Sequence, residues 1–400
     1  MVLVAAFLGW LFDGFEIGLF PVVARPGLLS MIPGGTDADV GKWMARITAC
    51  FLIGAAAGGM LFGWLGDRIG RVRALSASIL TYSLFTGFGY FAQEPWHFGV
   101  FRFLAALGMG GEWALGVALV MECWPEKWRP MLAGAIGAAA NCGFLLVGVV
   151  AKTWPVTVES WRWMFLVGAA PALLVFFIRL FVPESERWKK SVAENVSRPV
   201  REIIASGLLK RVFLGILLAS VALIGTWGSV TWVPLWADQI AGPGNPTAKA
   251  SAQSFQALGA IVGSILAPLL GALLGRRVSY FLLCLASLAI CQILFRGITE
   301  YNNTFLLMSF LVSGATASFY GWFPLYFPEL FPTRVRATAQ GLCFNFGRIF
   351  AAAGALTQGA LMAHFDGSYA KAGAVVTLVY LAGMIAIWFA PETKGKPLPA

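Results

Sequence analysis

The sequence predicts an all-α membrane protein with twelve transmembrane helices, arranged as two pseudo-symmetric bundles of six. The 400 residues are 58% hydrophobic and only 12% charged, about half the charged fraction of a soluble domain. Such a chain does not have enough polar surface to enclose its apolar residues in a water-soluble globule. Glu122, Pro125, Arg129 and Gly134 also recur in the second half with the same spacing. Each pair lies 207 positions apart (122 to 329 for the glutamates), which indicates one unit built twice.

Twelve apolar segments alternate with short polar connections, and most approach the roughly 20 residues that a helix needs to cross a bilayer. The 46 glycines and 16 tryptophans suit close helix crossings and interfacial aromatic belts. The predicted spans are residues 1–24, 46–65, 74–92, 97–121, 130–152, 161–182, 211–236, 251–274, 278–297, 304–328, 335–362 and 372–391.

Two connections differ from the others. Residues 183–210 are charged and contain little apolar surface, so they are expected to form a cytoplasmic linker. This divides the chain into an N-terminal bundle at 1–182 and a C-terminal bundle at 211–400 with a short cytoplasmic tail. Residues 25–45 contain several prolines and glycines and are expected to form an exposed periplasmic loop.

The distribution of the charges behind the net +10 indicates the membrane topology. If the N-terminus is cytoplasmic, eighteen Lys and Arg residues fall on the cytoplasmic side and eight on the other. This is the positive-inside asymmetry, so no nucleic acid partner is expected, and both termini lie inside a bacterial-type inner membrane. The first span begins at Met1, which leaves room for a natural start upstream. The six cysteines form no C-x-x-C pair and are expected to be small buried hydrophobes, without metal or cofactor.

A glycine-rich connection joins spans two and three, with the sequence Gly63-Trp-Leu-Gly-Asp67-Arg68-Ile-Gly70-Arg71. Its small residues let two helices pack tightly while its charges leave the lipid. The run resembles the G-x-x-x-D-R-x-G-R-[RK] signature of the major facilitator superfamily, which occurs at the same connection.

Other motifs agree with this resemblance. A second copy of the signature is expected at residues 271–277, where it is shortened and Gly275 stands where an acid would be, before Arg276. The two E-x-x-P-x-x-x-R runs that follow spans four and ten resemble acidic–arginine signatures of the superfamily. The runs that begin at Pro183 and Pro391 resemble motifs of its sugar-porter branch. The resemblance implies the major facilitator fold and transport by alternating access between two halves.

The resemblance also implies a cytoplasmic gate. Its central acid, Asp67, is expected to approach the start of span eleven and nearby arginines when that side is closed. A carboxylate at a helix N-terminus is favourable by about 0.3–1 kcal/mol. The predicted gate residues are Gly63, Asp67, Arg68, Gly70, Arg71, Glu122, Arg129, Arg276, Glu329 and Arg336.

Span one carries two carboxylates, Asp13 and Glu16. A charge at the bilayer centre costs roughly 2.5–3.5 kcal/mol, so each one requires a reason. Three residues apart on a helix, the two share a face, and neighbouring carboxylates resist double ionisation. They are therefore candidates for proton coupling, and the alternative is structural pairing with an arginine. Acidic pairs at this place also occur in the aromatic-acid proton symporters that the chain resembles.

Span four contains Arg102, Glu112 and Trp113. Arg102 and Trp113 are eleven residues apart and line one stripe, while Glu112 is a further candidate for protonation. The run around Glu112 resembles the G-x-G-G-E-W segment of sialate, monocarboxylate and metabolite proton symporters. Arg102 either contacts the substrate or proton site, or forms an internal ion pair with Glu16 or Glu112.

Arg348 is the one mid-span charge predicted for the second half, and it shares a face with Asn345. An arginine in a low-dielectric cavity suits the bidentate binding of a carboxylate. The alternative is a salt bridge to the gate acids. Further candidates for the cavity lining, each of which also fits simple packing, are Asn141, Trp227, Trp232, Gln256, Tyr320 and Gln358.

These features predict a secondary transporter, specifically a proton-coupled symporter of a small organic anion such as a monocarboxylate, sialate or aromatic acid. The expected partners are the substrate, protons and lipid, and the expected state is a monomer. The sequence contains no Walker sequence, metal-ligand cluster or nucleophile elbow, so it is not expected to be an enzyme. One alternative is a sugar or polyol transporter, although span seven lacks a paired-glutamine signature. Export of drugs or metabolites is another. A non-transporting membrane sensor is disfavoured by the intact gate motifs and intramembrane acids.

Overall fold

The computed structural model describes residues 2–34, 37–154, 156–194, 199–242, 245, 248–365 and 368–399. Within these ranges the regular structure is entirely helical. The α-helices are α1 (Val2–Met31), α2 (Asp37–Ile69), α3 (Arg71–Phe88), α4 (Pro95–Cys123), α5 (Arg129–Thr153), α6 (Arg162–Ala169), α7 (Ala172–Phe181), α8 (Glu186–Glu194), α9 (Pro199–Ala205), α10 (Leu209–Trp227), α11 (Val233–Ala241), α12 (Ala248–Leu274), α13 (Arg276–Gly297), α14 (Asn303–Leu330), α15 (Arg336–His364), α16 (Tyr369–Val376) and α17 (Val379–Ala386).

In the described ranges, the helices match the twelve predicted crossings in order. Three crossings consist of two helices each, namely α6 with α7, α10 with α11, and α16 with α17, while α8 and α9 lie between the two sets of six. In the described part of the chain, nine crossings are long and apolar enough to span a bilayer by length and composition. The other three are α3, α6 with α7, and α15. Pro171 lies at the break in the sixth crossing, where its missing N–H interrupts the helical hydrogen bonds.

The prediction of an exposed loop at residues 25–45 is wrong. Helix α1 continues through Pro21 and Pro26 to Met31, and α2 begins at Asp37. An interior proline costs a helix about 3 kcal/mol, but the last turns of α1 bury Leu28 and other apolar side chains in a core cluster. This packing outweighs the local preference of proline and glycine for a turn.

The helix contacts repeat between the two halves. In the first six crossings α2 packs on α4 and α1 packs on α5; in the last six α12 packs on α14 and α10 packs on α15. When the crossings are numbered from one to six within each set, both sets pair crossing two with crossing four and crossing one with crossing five. Contacts between the sets repeat too, since α2 meets α15 and α5 meets α12. The duplication in the sequence is therefore a pseudo-two-fold arrangement in space. The division at residues 183–210 stays a prediction.

Close crossings depend on particular glycines. A Cβ added at Gly58 of α2 would lie 1.8 Å from the carbonyl oxygen of Leu107 in α4. At the equivalent crossing, a Cβ at Gly263 of α12 would lie 1.9 Å from the carbonyl oxygen of Gly314 in α14. All six cysteine thiols are free. Burial matches the prediction for Cys284, Cys291 and Cys343, whereas Cys123 is exposed.

Candidate functional site

The connections between crossings two and three, four and five, and ten and eleven meet at one end of the bundle, here called the gate face. Gly70 joins α2 to α3 with a φ of 109°, a conformation that glycine adopts without steric cost. The sharp reversal brings the last turn of α2 beside the first turn of α3. Gly63 permits a close crossing nearby, because a Cβ there would lie 2.8 Å from the carbonyl oxygen of Ala337.

Asp67 lies at the N-terminus of α15. Its Oδ2 accepts hydrogen bonds from the backbone N–H of Thr338 at 2.7 Å and from the Thr338 hydroxyl at 2.6 Å. Its Oδ1 accepts from Arg71 Nη1 at 2.6 Å and from the backbone N–H of Ala337 at 3.3 Å. The carboxylate is fully buried, and both oxygens have donors. Asp67 thus connects the first six crossings to a helix of the last six.

Glu122 is shared by two buried arginines. Its Oε1 accepts from Arg71 Nη2 at 3.2 Å and from Arg336 Nη1 at 2.8 Å, while its Oε2 accepts from the Ser185 hydroxyl at 2.6 Å. Arg71 also donates to the carbonyl oxygen of Thr333 at 2.6 Å. Arg71 and Arg336 come from opposite halves and are both fully buried. Removal of one member of such a group leaves an unpaired buried charge, which is strongly destabilising.

A matching ion pair holds the second copy of the motif. Arg276 binds Glu329 through two donors, Nε at 2.9 Å and Nη2 at 2.7 Å, the strong forked geometry of guanidinium and carboxylate. The Thr393 hydroxyl donates to Glu329 at 2.6 Å. This pair is buried within the last six crossings.

The predicted register of the second copy is wrong. Arg276 donates to the carbonyl oxygen of Gly271 five residues earlier, as Arg71 does to Gly66. Gly275 has a φ of 93° and precedes α13, so it is the counterpart of Gly70. The counterpart of Asp67 is Ala272, and the second copy has no acid with which to cap the neighbouring half.

Two further acids lie at this face and were missed in the sequence. Glu184 accepts from the backbone N–H of Arg71 at 2.9 Å, and Glu392 accepts from that of Arg276 at 3.0 Å. Each caps the first turn of a helix, α3 or α13. Both follow a proline, in the two Pro-Glu runs after crossings six and twelve. That repeat is the sequence feature from which the two acids could have been predicted.

Glu392 lies outside the membrane-spanning segments. Burial raises the pKa of its carboxyl, but hydrogen bonds from four backbone N–H groups outweigh this and hold the pKa below its ordinary value. A lowered carboxyl pKa means that the capping contact is fully present above the ordinary pKa of glutamate and is lost as pH falls through the lowered value. The cap is therefore intact at neutral pH.

Two predicted gate residues lie apart from the cluster. Arg68 is exposed, with its guanidinium 4.9 Å from the centre of the Trp64 ring. It lies about 100° around the helix from Asp67 and so faces away from α15. Arg129 donates to Glu126 at 3.0 Å rather than to Glu122.

A second group of polar residues lies deeper in the bundle. Glu112, Tyr320 and Arg348 are ten to twelve residues from the gate ends of their helices, about 15–18 Å at the α-helical rise. The hydrocarbon core of a bilayer is about 30 Å thick. These side chains therefore belong to the middle of the membrane.

Asp13 and Glu112 face one another in this region. Both are buried, and among the described residues no N–H or O–H group donates to any of their four carboxyl oxygens. The two carboxyl groups are close enough to interact electrostatically. Neighbouring buried carboxylates resist double ionisation, so a proton on one of them relieves the repulsion. Gly9 provides the space, since a Cβ there would lie 1.9 Å from Glu112 Oε1.

Glu16 interacts electrostatically with Asp13, but its direct partner is Arg102, which was one of the two alternatives for that arginine. Glu16 forms a buried ion pair with Arg102 Nη1 and accepts from the Thr86 hydroxyl at 3.2 Å. The Arg102 guanidinium also lies 4.8 Å from the centre of the Phe20 ring. Side chains three residues apart diverge by about 60° around a helix, which directs Glu16 to Arg102 and Asp13 to Glu112.

Arg348 faces Asp13 from the other half of the molecule, and the two interact electrostatically. Its Nη1 donates to Asn345 Oδ1 at 3.1 Å, and its guanidinium lies 5.1 Å from the centre of the Phe344 ring. The Asn345 amide in turn donates to the carbonyl oxygen of Gly110 in α4 at 3.2 Å. In the described part of the chain, Arg348 makes no ion pair with a gate acid.

The remaining cavity candidates have mixed surroundings. Trp113 is buried and stacks on Phe344, with ring centres 4.3 Å apart. Gln256 donates to the carbonyl oxygen of Val230 at 2.9 Å, so it stabilises the break between α10 and α11. Tyr320 is half-buried and interacts electrostatically with Arg348. The half-buried side chains also include those of Asn141, Trp227 and Trp232, whereas the side chain of Gln358 lies outside the described residues.

The chain belongs to the Major Facilitator Superfamily, whose family model matches residues 6–355. The cis,cis-muconate transport protein of Acinetobacter baylyi is 31% identical over 358 residues, covering 86% of this chain and 84% of that protein. A probable 4-methylmuconolactone transporter of Cupriavidus pinatubonensis is 28% identical and covers 98% and 90%. The proton:xylose symporter XylE of E. coli has a similar fold, with a TM-score of 0.80, 20% identity and coverage of 99% and 97%. This protein is thus a multi-pass membrane transporter of a small molecule and not an enzyme.

We expect Asp67→Asn to lower the initial rate of transport severalfold while leaving the amount of folded protein unchanged. The variant keeps the shape of the side chain but loses the charge that Arg71 and the N-terminus of α15 stabilise. The measurement is initial uptake by vesicles with equal protein content. Arg68→Gln, which changes the exposed neighbour, is the matched control. Normal uptake by Asp67→Asn would contradict a gating role.

Proposed function

We propose that this transporter is a proton-coupled symporter of a small organic anion. The observation that supports this most is the position of Arg348 opposite Asp13, at mid-membrane and across the interface between the halves. One side chain is a fixed cation and the other is a carboxylate that can gain a proton. One relative is a cis,cis-muconate transport protein and another is a probable 4-methylmuconolactone transporter, which fits a carboxylate substrate.

The coupling we propose is a competition for Arg348. While Asp13 is ionised, its charge compensates Arg348 and leaves little affinity for a second anion. When Asp13 gains a proton, the guanidinium becomes available to the substrate carboxylate, which it suits by its forked donors. Substrate and proton then cross together. The cavity of the loaded carrier has the same net charge as the cavity of the empty carrier. This reduces the electrostatic cost of the crossing.

Glu112 extends the proton site. Because Asp13 and Glu112 interact electrostatically, a single proton shared between them removes their mutual repulsion. Glu16 is already balanced by Arg102, so its proposed part is to keep that pair fixed beside the proton site. In this proposal the substrate arginine is Arg348 rather than Arg102.

The aromatic surroundings favour planar, conjugated acids. Trp113 and Phe344 stack, and Arg348 lies over the Phe344 ring. Flat substrates stack well against such rings, while the guanidinium binds the carboxylate. Aromatic acids and conjugated ring-cleavage acids meet both requirements better than sugars do.

Alternating access follows from the gate face. The cross-half contacts of Asp67 and Glu122 hold that face closed, so in the present conformation substrate would not enter from that side. The excess of Lys and Arg among these connections favours a cytoplasmic gate face, with both chain termini inside an inner membrane. We propose that the carrier works as a monomer, since each chain contains both halves of the gate.

The test is uptake into proteoliposomes with and without an imposed pH gradient, acidic on the outside. The probes are radiolabelled cis,cis-muconate, benzoate and xylose. We expect acid-stimulated accumulation of a carboxylate and no stimulated flux of xylose. Gradient-independent xylose flux without carboxylate uptake would favour the sugar-transport alternative and overturn the proposal.

A further inference from the structure

Tyr82 is a buried phenol beside the proton site. It lies on α3, has no exposed surface, and its hydroxyl has no hydrogen-bond partner among the described residues. The same hydroxyl interacts electrostatically with Glu112, Asp13 and Glu16. A buried hydroxyl without a partner is costly. The Ser83 hydroxyl lies beside it, and the carboxyls of Asp13 and Glu112 lack donors among the described residues.

Helix packing explains this position. The Ser78 hydroxyl donates to the carbonyl oxygen of Gly108 at 2.5 Å, and a Cβ at Gly108 would lie 2.5 Å from the backbone nitrogen of Tyr82. The backbone of α3 therefore touches α4 one turn before Glu112. On the other side, Gly9 of α1 touches the Glu112 carboxyl. Glu112 is thus enclosed between α1 and α3, and Tyr82 belongs to the α3 wall.

We propose that Tyr82 is a positioning residue of the proton site, whose hydroxyl donates a hydrogen bond to the Asp13–Glu112 pair when that pair loses its proton. This inference rests on the proposed proton coupling. A phenol suits both states of the pair, because it donates to a carboxylate and accepts from a carboxylic acid. The transported proton stays on the carboxyls, and Tyr82 keeps its own throughout.

In the part of the chain that the structure describes, the charged and titratable groups around the pair come from four helices. Glu16 lies on α1 with Asp13, Arg102 lies on α4 with Glu112, Tyr82 lies on α3 and Arg348 on α15. Arg102 is held by Glu16, and Arg348 is the group that the substrate takes. Among these groups, Tyr82 is the neutral donor that can stabilise the ionised pair without competing for the substrate.

The test compares Tyr82→Phe with wild type in two assays. Without the hydroxyl the ionised pair is less stable, so the proton binds more tightly and leaves more slowly. We expect the midpoint of the pH profile of uptake to move about one unit towards alkaline pH, which is a tenfold change in proton affinity. Gradient-driven accumulation should fall severalfold, while substrate exchange at saturating muconate, which needs no proton release, should stay within twofold.

The matched control is Tyr380→Phe. Tyr380 is also fully buried with a hydroxyl that has no partner among the described residues, but it lies in α17 of the other half. It should leave the pH profile unchanged. Loss of exchange together with accumulation in Tyr82→Phe would indicate a purely structural role and overturn the inference.

A second substitution keeps the inference falsifiable if Tyr82→Phe does not fold. Difluorotyrosine in place of Tyr82 keeps the shape but makes the hydroxyl a stronger donor, so the profile should move towards acid pH. An unchanged profile would overturn the positioning role alone. Wild-type uptake that ignores the pH gradient would instead overturn the proposed function itself.

Discussion

Asp13→Asn is expected to abolish pH-gradient-driven accumulation of the organic anion, with a fall of at least tenfold, while exchange of internal for external substrate continues. Asparagine resembles a protonated aspartate in shape and charge, so it leaves Arg348 without its ionisable partner. The substrate site is then permanently available, and the carrier binds anion without needing a proton. The measurement is accumulation and counterflow in the same proteoliposomes.

The control for this variant is Glu159→Gln, which removes an exposed carboxylate in the connection before α6. It should leave both assays unchanged. Retention of gradient-driven accumulation in Asp13→Asn would show that another group carries the proton. Loss of exchange as well would show that Asp13 is needed for conformational change or folding rather than for coupling.

Arg348→Gln is expected to weaken substrate binding by about ten- to a hundredfold. Hydrogen bonds to charged groups contribute about 1.5–3 kcal/mol, and every 1.4 kcal/mol is a factor of about ten in affinity. The effect should appear in the KM for the carboxylate and in its Kd by calorimetry. Because Asn345 and Phe344 hold the guanidinium, Arg348→Lys should also lose most of the affinity, since lysine lacks the planar fork.

Arg296→Gln provides the comparison, because Arg296 is an exposed arginine whose Nε donates to Gln292 at 2.7 Å. It should keep the wild-type KM. An Arg348→Gln variant with normal affinity would exclude Arg348 as the carboxylate-binding residue.

Much of the fold could be predicted from the sequence because the constraints are local. Spans of membrane length, and the Glu122 and Glu329 motifs with equal spacing, are patterns along the chain and lead directly to two sets of six crossings. The position of Asp67 at the start of α15 could also be predicted, from the resemblance of its motif. The length of α1 could not be predicted, because the packing of Leu28 against distant helices outweighs the turn preference of Pro26.

The central site was predicted in composition and partly in pairing, since the Arg102–Glu16 ion pair was one of the alternatives whereas the approach of Asp13 to Glu112 was not expected. Asp13, Glu112 and Arg348 stand out because charges within the membrane are rare. Which carboxyl faces which depends on the rotation of α1 against α4, and that rotation is set by Gly9 and the Arg102–Glu16 pair. The alignment of the second motif with the first was predicted wrongly, because the sequence allows Gly275 to match either Asp67 or Gly70. Only its backbone conformation identifies it as the counterpart of Gly70.

The proposed coupling between Asp13 and Arg348 can be tested most directly by counting protons during binding. Purified protein in weakly buffered detergent near pH 7 is mixed with a carboxylate substrate that it transports, and a pH indicator reports the exchange. We predict net uptake of up to one proton for each anion bound, and none in Asp13→Asn. Tight binding of the anion to wild-type protein with no change in bound protons at any pH between 6 and 8 would contradict the coupling.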